Sequence, residues 1–382
     1  MIRLLTVIGA RPQIIKAAAI SRAIREKFSG LMEEKILHTG QHYDQNMSAV
    51  FFEELGIPQP DYNLGVGSGH HGVQTAKMIA GIEEVLLNEH FDGLLLYGDT
   101  NSTLAGAVAA SKIHVPIFHV EAGLRSHNMA MPEEVNRIVC DQLSSILFPP
   151  TETGMKNLRE EGFLNSTARF KNGKTRRIVN SGDVMYDNSL FFRNLVKEKC
   201  DIIKRLRLAR NGFILATIHR DHNTDDKGRL TNIFRALLDI ADQEDVRIVL
   251  PLHPRTKKLL AVNLESSVYE RLKTSEKVCM IPPASFFEII ELERNARLVM
   301  TDSGGVQKEA FFFERPCVIL RPETEWVEIV EHGAGILADA DYERIINAYQ
   351  ELTGKTVQFP PLFGDGKAAE KILETITDYL CG

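Results

Sequence analysis

The stretch Leu94–Arg137, LLLYGDTNSTLAGAVAASKIHVPIFHVEAGLRSHNMAMPEEVNR, decides the fold. Its two apolar runs, Leu94–Tyr97 and Pro116–Val120, each stop at a carboxylate with a glycine nearby: Gly98-Asp99 and Glu121-Ala122-Gly123. Between them, Ser102–Ile113 is rich in small residues and helical in period. Apolar runs flanking such a helix predict a βαβ unit with parallel strands. Ligands of open parallel sheets sit beyond the carboxyl ends of the strands, so Asp99 and Glu121 are expected to face one crevice. Glu133 and the arginines Arg125 and Arg137 follow in the same stretch. Three carboxylates and two guanidiniums at one sheet edge point to chemistry more than to stability.

Upstream, Leu4–Ile8 reads as a strand, Gly9-Ala10-Arg11-Pro12 as a turn, and the next residues as a helix to about Phe28. A strand, a glycine turn and a helix start leave backbone N–H groups free for a phosphate. Arg11 lies in the turn and Lys16 one helical turn further on. Two cations at a helix start are unfavourable unless an anion offsets them; ordinary surface charge is the alternative. Ile36–Thr39 is a second strand, and the Gln41 and His42 after it either touch ligand or cap a solvated helix. Leu64–Gly72, LGVGSGHHG, has neither a complete GxGxxG nor a strand of its own and reads as a mobile loop. His70-His71 has no partner at ligand spacing, so no metal is expected. A helix from about Val73 to Glu89 leads into the opening stretch.

Downstream, Ile146–Phe148 is a strand and Thr151 a candidate N-cap. The basic run Arg169–Arg177 turns at Asn172-Gly173. A domain boundary near Asn180–Asp183 gives domains at 1–181 and 182–365, with a terminal helix, 366–382, packing back on the first. The second half repeats the alternation. Phe213–Thr217 ends near His219-Arg220, Arg247–Leu252 at His253-Pro254-Arg255, and Leu298–Thr301 at Asp302-Ser303-Gly304-Gly305 before a helix through Phe313. Small residues at that last turn make a second phosphate cradle, and Glu309, one turn on, suits a ribose. Glycines that merely pack are the alternative. Arg321–Trp326 follows the strand Cys317–Leu320, and the lone tryptophan either packs or meets ligand.

At 382 residues the chain exceeds one core, so two α/β domains are expected. Hydrophobic content of 44% and charged content of 25% are those of a soluble globular protein. A net charge of −6 gives no footprint for nucleic acid. No apolar run reaches the roughly 18–20 residues of a membrane span. Five single cysteines without a CxxC pair suit a reducing compartment, the cytoplasm.

Together, GARPQIIK, YGDTNST, HVEAGLRS, MPEEVNR, TIHR and TDSGGVQKEA resemble the motif set of the non-hydrolysing bacterial UDP-N-acetylglucosamine 2-epimerase family, along essentially the whole chain. The resemblance implies a GT-B fold, two Rossmann-like domains with the ligand in the interdomain cleft. It also implies inversion at C2 of a UDP-N-acetylhexosamine without NAD or any other cofactor, in a cytoplasmic homodimer serving polysaccharide biosynthesis. By motif position, Asp99, Glu121 and Glu133 take the catalytic carboxylate roles, with His219 in the catalytic set and on substrate phosphate. Arg11, Lys16, Arg137 and His253 take substrate contacts, and Ser303, Gly304, Gly305 and Glu309 the UDP diphosphate and ribose. Interconversion of UDP-GlcNAc and UDP-ManNAc is the activity first implied. GARPQ where the family usually reads GTRPE, the late RPETEWVE, and Asn223-Thr224-Asp225 resemble the branch that includes UDP-2,3-diacetamido-glucuronate 2-epimerases, the alternative. A GT-B glycosyltransferase or a nucleotide-sugar sensor would share the fold, but neither calls for three clustered carboxylates.

Overall fold

The computed structural model describes residues 1–41, 52, 56–165, 168–171, 173–252 and 254–382, without the side chains at 194, 197–199 and 254. The chain divides into two units, Met1–Asn188 with Pro361–Gly382, and Ser189–Pro360.

In the first unit the strands are Ile2–Ile8 (β1), Met32–His38 (β2), Tyr62–Asn63 (β3), Gly93–Tyr97 (β4), Ile117–Val120 (β5), Ile146–Phe148 (β6) and Arg177–Ile178 (β7). Among the described residues they form one seven-stranded sheet in the order β3-β2-β1-β4-β5-β6-β7, with every pairing parallel. Successive strands run outward from β1 to one edge and from β4 to the other. The loops leaving β1 and β4 therefore diverge, which opens the crevice where such sheets take ligands. Because Leu5 pairs with Leu94 and Thr6 with Leu95, Gly9-Ala10 and Gly98-Asp99 leave the sheet side by side. The expected βαβ unit is present: helix Asn101–Ile113 joins the parallel pair β4 and β5. Thr100 caps that helix by accepting from the Thr103 N–H, which replaces a hydrogen bond the helix cannot make itself.

The glycine-rich segment is more ordered than its composition predicts. Leu64, Val66 and Gly67 donate backbone bonds to His38, Thr39 and Gly40 at 2.9, 3.0 and 3.0 Å. Gly40 has φ +80, and a Cβ there would sit 2.9 Å from the Gly65 backbone, so only glycine lets these two chain segments run together. These long-range pairings are invisible to local reading. The following helix starts at His71 and runs to Asn88. The turn expected within Arg169–Arg177 is flanked by an antiparallel bridge between Arg169 and Thr175; position 172 lies outside the described residues.

The terminal helix Ala368–Cys381 belongs to the first unit, where it buries Ile372, Leu373, Ile376 and Tyr379. Asp187 takes the place of an N-cap, accepting from the N–H groups of Ala368 at 3.1 Å and Ala369 at 2.8 Å.

The second unit repeats the pattern with Phe213–Thr217 (β8), Arg247–Pro251 (β9), Val278–Ile281 (β10), Leu298–Thr301 (β11), Cys317–Ile319 (β12) and Gly335–Leu337 (β13). Among the described residues these form a six-stranded parallel sheet in the order β10-β9-β8-β11-β12-β13. Its divergence point lies between β8 and β11, the strands that lead to His219 and to Ser303.

Candidate functional site

At the first unit's divergence point, Gln13 ties the two loops together. Its Oε1 accepts from the N–H groups of Gly9 and Ala10 at 2.8 and 3.2 Å, while its Nε2 donates to the Tyr97 carbonyl and Thr103 Oγ1, both at 3.0 Å. Only an amide offers acceptor and donors in this arrangement, which accounts for the glutamine of GARPQ. Arg11 is exposed at the first helical position. Lys16, one turn further on, is paired with the Glu121 carboxylate. The anion that offsets a cation at this helix start is thus one of the chain's own carboxylates. Gly98, at φ +62, lies against this pair: a methyl there would be 3.0 Å from Lys16 Nζ and 3.2 Å from Glu121 Oε2.

Asp99 meets Arg137 at 2.5 Å, and Arg137 also reaches Glu134 at 2.8 Å. The Asp99 carboxyl keeps 30% of its surface exposed. Its pKa is raised: burial is the largest cause, Arg137 and Lys16 oppose it, and the neighbouring Glu121 adds to the rise. A carboxyl held above its ordinary value beside two cations suits proton exchange more than a permanent salt bridge. Glu121 itself has φ +71, a left-handed backbone that costs a non-glycine residue roughly 1–3 kcal/mol. Strain of that kind persists where surrounding contacts fix the geometry. Here the Glu121 and Ala122 N–H groups both donate to the Phe148 carbonyl, at 3.0 and 3.2 Å.

Asp99, Glu121, Lys16 and Arg137 are therefore brought together. Arg125, expected at the same edge, is not: its guanidinium is buried against Asp141 at 2.8 Å and Glu161 at 2.6 Å. Asp141 also meets His119 Nδ1 at 2.8 Å and accepts from the Gly123 N–H at 3.1 Å, so Arg125 and Asp141 support the loop after β5. Glu133 is exposed in the first turn of helix Pro132–Leu143, while its neighbour Glu134 is buried. Glu134 accepts from the N–H groups of Ser126 and His127, both at 2.9 Å, and from Arg137. Its burial would raise the pKa, but these donors outweigh it and the net shift is downward. Asn136, also missed by sequence reading, donates to the Asp99 carbonyl at 2.8 Å.

In the second unit the strand-to-helix turn at Asp302–Gly305 forms as expected. Ser303 caps helix Gly304–Phe312 by accepting from the Val306 N–H. The space over Gly305 is open, whereas a Cβ on Gly304 would strike the Glu325 carboxylate. Asp302, fully buried, accepts from the N–H groups of His219 at 3.1 Å and Arg220 at 3.0 Å and from Asn223 Nδ2 at 3.2 Å. Its Oδ1 also lies 3.2 Å from His219 Nδ1, which leaves Nε2 as the ring nitrogen turned from the anchor. Trp326 packs: it is buried with Lys308 Nζ 4.2 Å above its ring. Arg321 pairs with Glu325 at 3.0 Å. His253 and His42 lie outside the described residues.

Glu309 is half-buried beside Glu293, a carboxyl with no exposed surface. Burial, then the charge of Glu309, pushes the Glu293 pKa well above its ordinary 4.5. The unfolded chain then loses this proton first, so the associated stability is complete below 4.5 and is lost as pH rises through the folded value. Glu293→Gln should flatten that decline, whose limiting slope is about 1.4 kcal/mol per pH unit for one proton. Urea denaturation from pH 5 to 9 measures it, and equal slopes for both proteins would refute the assignment.

Two Rossmann-like units, each with its polar loops at the sheet's divergence point, define an α/β protein of the GT-B class. The family model for UDP-N-acetylglucosamine 2-epimerase matches residues 25–377. The chain is 50% identical over 374 residues to the UDP-2,3-diacetamido-2,3-dideoxy-D-glucuronate 2-epimerase of Pseudomonas aeruginosa, spanning 97% of this chain and 98% of that one. It is 41% identical to the UDP-N-acetylglucosamine 2-epimerase of Methanocaldococcus jannaschii, spanning 98% and 99%. The crystal structure of the M. jannaschii UDP-GlcNAc 2-epimerase in complex with UDP-GlcNAc and UDP aligns with a TM-score of 0.85 at 40% identity, covering 99% of this chain and 100% of that one. The chain belongs to the UDP-N-acetylglucosamine 2-epimerase family, isomerases acting on carbohydrates.

Proposed function

We propose that the chain inverts C2 of a UDP-N-acetylhexosamine by eliminating UDP and adding it back. A C2 proton beside an acetamido nitrogen is not acidic, because no carbonyl adjoins that carbon. It becomes removable as C1 gains oxocarbenium character. In the forward step a carboxylate takes the C2 proton while the bond from C1 to the phosphate oxygen breaks, giving a glycal and UDP. In the return step a proton reaches the opposite face of C2 and the β-phosphate oxygen closes on C1. No electrons are gained or lost in either step, so the route needs no hydride carrier such as NAD. The observation that carries this reading is the cluster of Asp99 and Glu121 with Arg137 and Lys16 where β1 and β4 diverge.

Asp99 and Glu121 are assigned to proton transfer, with Glu133 as the third carboxylate and His219 as a further member of the catalytic set. Arg11, Lys16, Arg137 and His253 are assigned to the substrate and its phosphates. Ser303, Gly304, Gly305 and Glu309 receive the UDP diphosphate and ribose. The family reading also carries a cytoplasmic homodimer serving polysaccharide biosynthesis. Among the described residues no helix is long and apolar enough to cross a membrane. Incubating the protein with its UDP-sugar in D₂O should place solvent deuterium at C2, read by proton NMR. Turnover with the C2 proton fully retained would rule out the elimination route.

The particular sugar is the finer part of the proposal. UDP-GlcNAc is the substrate first implied by the motifs. Identity of 50% to the diacetamido-glucuronate relative, against 41% to the UDP-GlcNAc relative, supports the uronate reading. The ratio of kcat/KM for the two sugars on one preparation decides between them.

A further inference from the structure

His71 is joined to the catalytic carboxylate's own backbone by an unbroken set of side-chain amides. Gln74 Nε2 donates to the Gly67 carbonyl at 2.8 Å, so Gln74 Oε1 must accept. It accepts from Asn101 Nδ2 at 3.0 Å, and the same nitrogen lies 3.0 Å from His71 Nδ1. At the other end Asn136 Nδ2 donates to the Asp99 carbonyl at 2.8 Å and to Asn101 Oδ1 at 3.3 Å. Both ends are backbone carbonyls, which can only accept, so the orientation of every amide between them follows.

The consequence for the histidine is specific. Asn101 can only donate to Nδ1, so Nδ1 is the unprotonated nitrogen and the ring proton sits on Nε2. His71 is exposed while Gln74, Asn101 and Asn136 are buried, so the network is built inward and ends in one outward-facing N–H. Asn101 stands two positions after Asp99, at the first residue of helix Asn101–Ile113. His70, one residue before, is also exposed; its carbonyl accepts from the Gln74 N–H at 3.0 Å, but among the described residues no side-chain hydrogen bond or ion pair joins its ring to this network.

From this geometry we infer that His71 is a specificity-determining residue whose fixed Nε2–H meets an acceptor oxygen on the substrate sugar. Such an oxygen belongs to a C3 acetamido carbonyl or a C6 carboxylate, the groups that separate a diacetamido uronate from UDP-GlcNAc. The inference rests on the 2-epimerase reading and deepens it. Because Asn101 occupies Nδ1, the ring offers a single directed donor at Nε2. A site that offers such a donor loses a hydrogen bond when the analogue lacks the acceptor.

The test is a two-by-two set of UDP-2-acetamido sugars, with hydroxyl or acetamido at C3 and hydroxymethyl or carboxylate at C6. Each is assayed with the unaltered protein, His71→Ala and His71→Gln. The readout is the ratio of kcat/KM between sugars on one preparation, from which the fraction of folded protein cancels. In His71→Ala the ratio favouring the decorated sugar should fall by roughly tenfold or more, and His71→Gln, which keeps an N–H donor, should recover part of it. A fall along the C3 axis assigns the acetamido carbonyl, and one along the C6 axis assigns the carboxylate. Unchanged ratios, with or without an equal loss on all four sugars, would overturn the inference and leave His71 a structural member of the network. Turnover of none of the four by the unaltered protein would remove the epimerase reading itself, and this inference with it.

Discussion

Asp99→Asn abolishes most turnover while UDP binding survives. The expected fall in kcat is about 10²–10⁴-fold, the usual contribution of a positioned acid or base. The isostere keeps the shape of the side chain and removes its capacity to take a proton. Arg137, which loses an ionic partner, still holds Glu134 at 2.8 Å, so the local frame stays anchored. Asn136 continues to grip the Asp99 carbonyl, which the substitution does not touch. Calorimetry with UDP should give an affinity close to that of the parent, and NMR in D₂O should show the matching loss of deuterium incorporation at C2. Loss of UDP affinity with kcat preserved would mean that this cluster binds the nucleotide and the chemistry lies elsewhere.

Gly305→Val and Gly304→Val should fail in opposite ways. Above Gly305 the space is open, with only Ser303 Oγ approaching, at 3.9 Å from the position of a Cβ. A valine there fits the protein but covers the backbone N–H groups assigned to the diphosphate. Each lost charge-assisted bond weakens UDP by roughly 10- to 100-fold, with thermal stability unchanged. At Gly304 the added carbons collide with Glu325, which Arg321 holds in place at 3.0 Å. That substitution should cost about 1–3 kcal/mol of stability. Calorimetry and thermal denaturation of both variants separate the two outcomes. An undisturbed UDP affinity in Gly305→Val would remove the cradle from the binding site.

The carboxylates at strand ends are readable in sequence because each needs only a local pattern, an apolar run that stops at a charge. Ser303-Gly304-Gly305 is readable for the same reason: strand, small residues and helix are contiguous. Gln13, Asn136 and Asp302 lie inside the quoted motifs GARPQIIK, MPEEVNR and TDSGGVQKEA, but what each of them holds is not readable. Their partners, Tyr97, Asp99 and His219, are 84, 37 and 83 positions away and become neighbours only through the sheet order. Arg125 shows the opposite failure. It sits in the richest motif of the chain, yet its partners Asp141 and Glu161 draw it beneath the loop it was expected to line. Proximity in sequence to Glu121 says nothing about which side of the strand end a long side chain takes. The Leu64–Gly72 segment misleads through composition: backbone bonds from Leu64, Val66 and Gly67 tie it to residues 38–40, and the glycine that permits the close approach is Gly40, outside the segment.

If Glu121 carries the proton transfer proposed for it, its left-handed backbone sets stability and activity against each other at one position. Glycine would release the strain and would be chosen by any search for a sturdier fold. It would also delete the carboxylate that Lys16 holds in place. Thermostabilising design on this scaffold therefore has to leave position 121 alone and look for its gains elsewhere. Homologous positions that read as conformational defects are better treated as records of what the chemistry demanded.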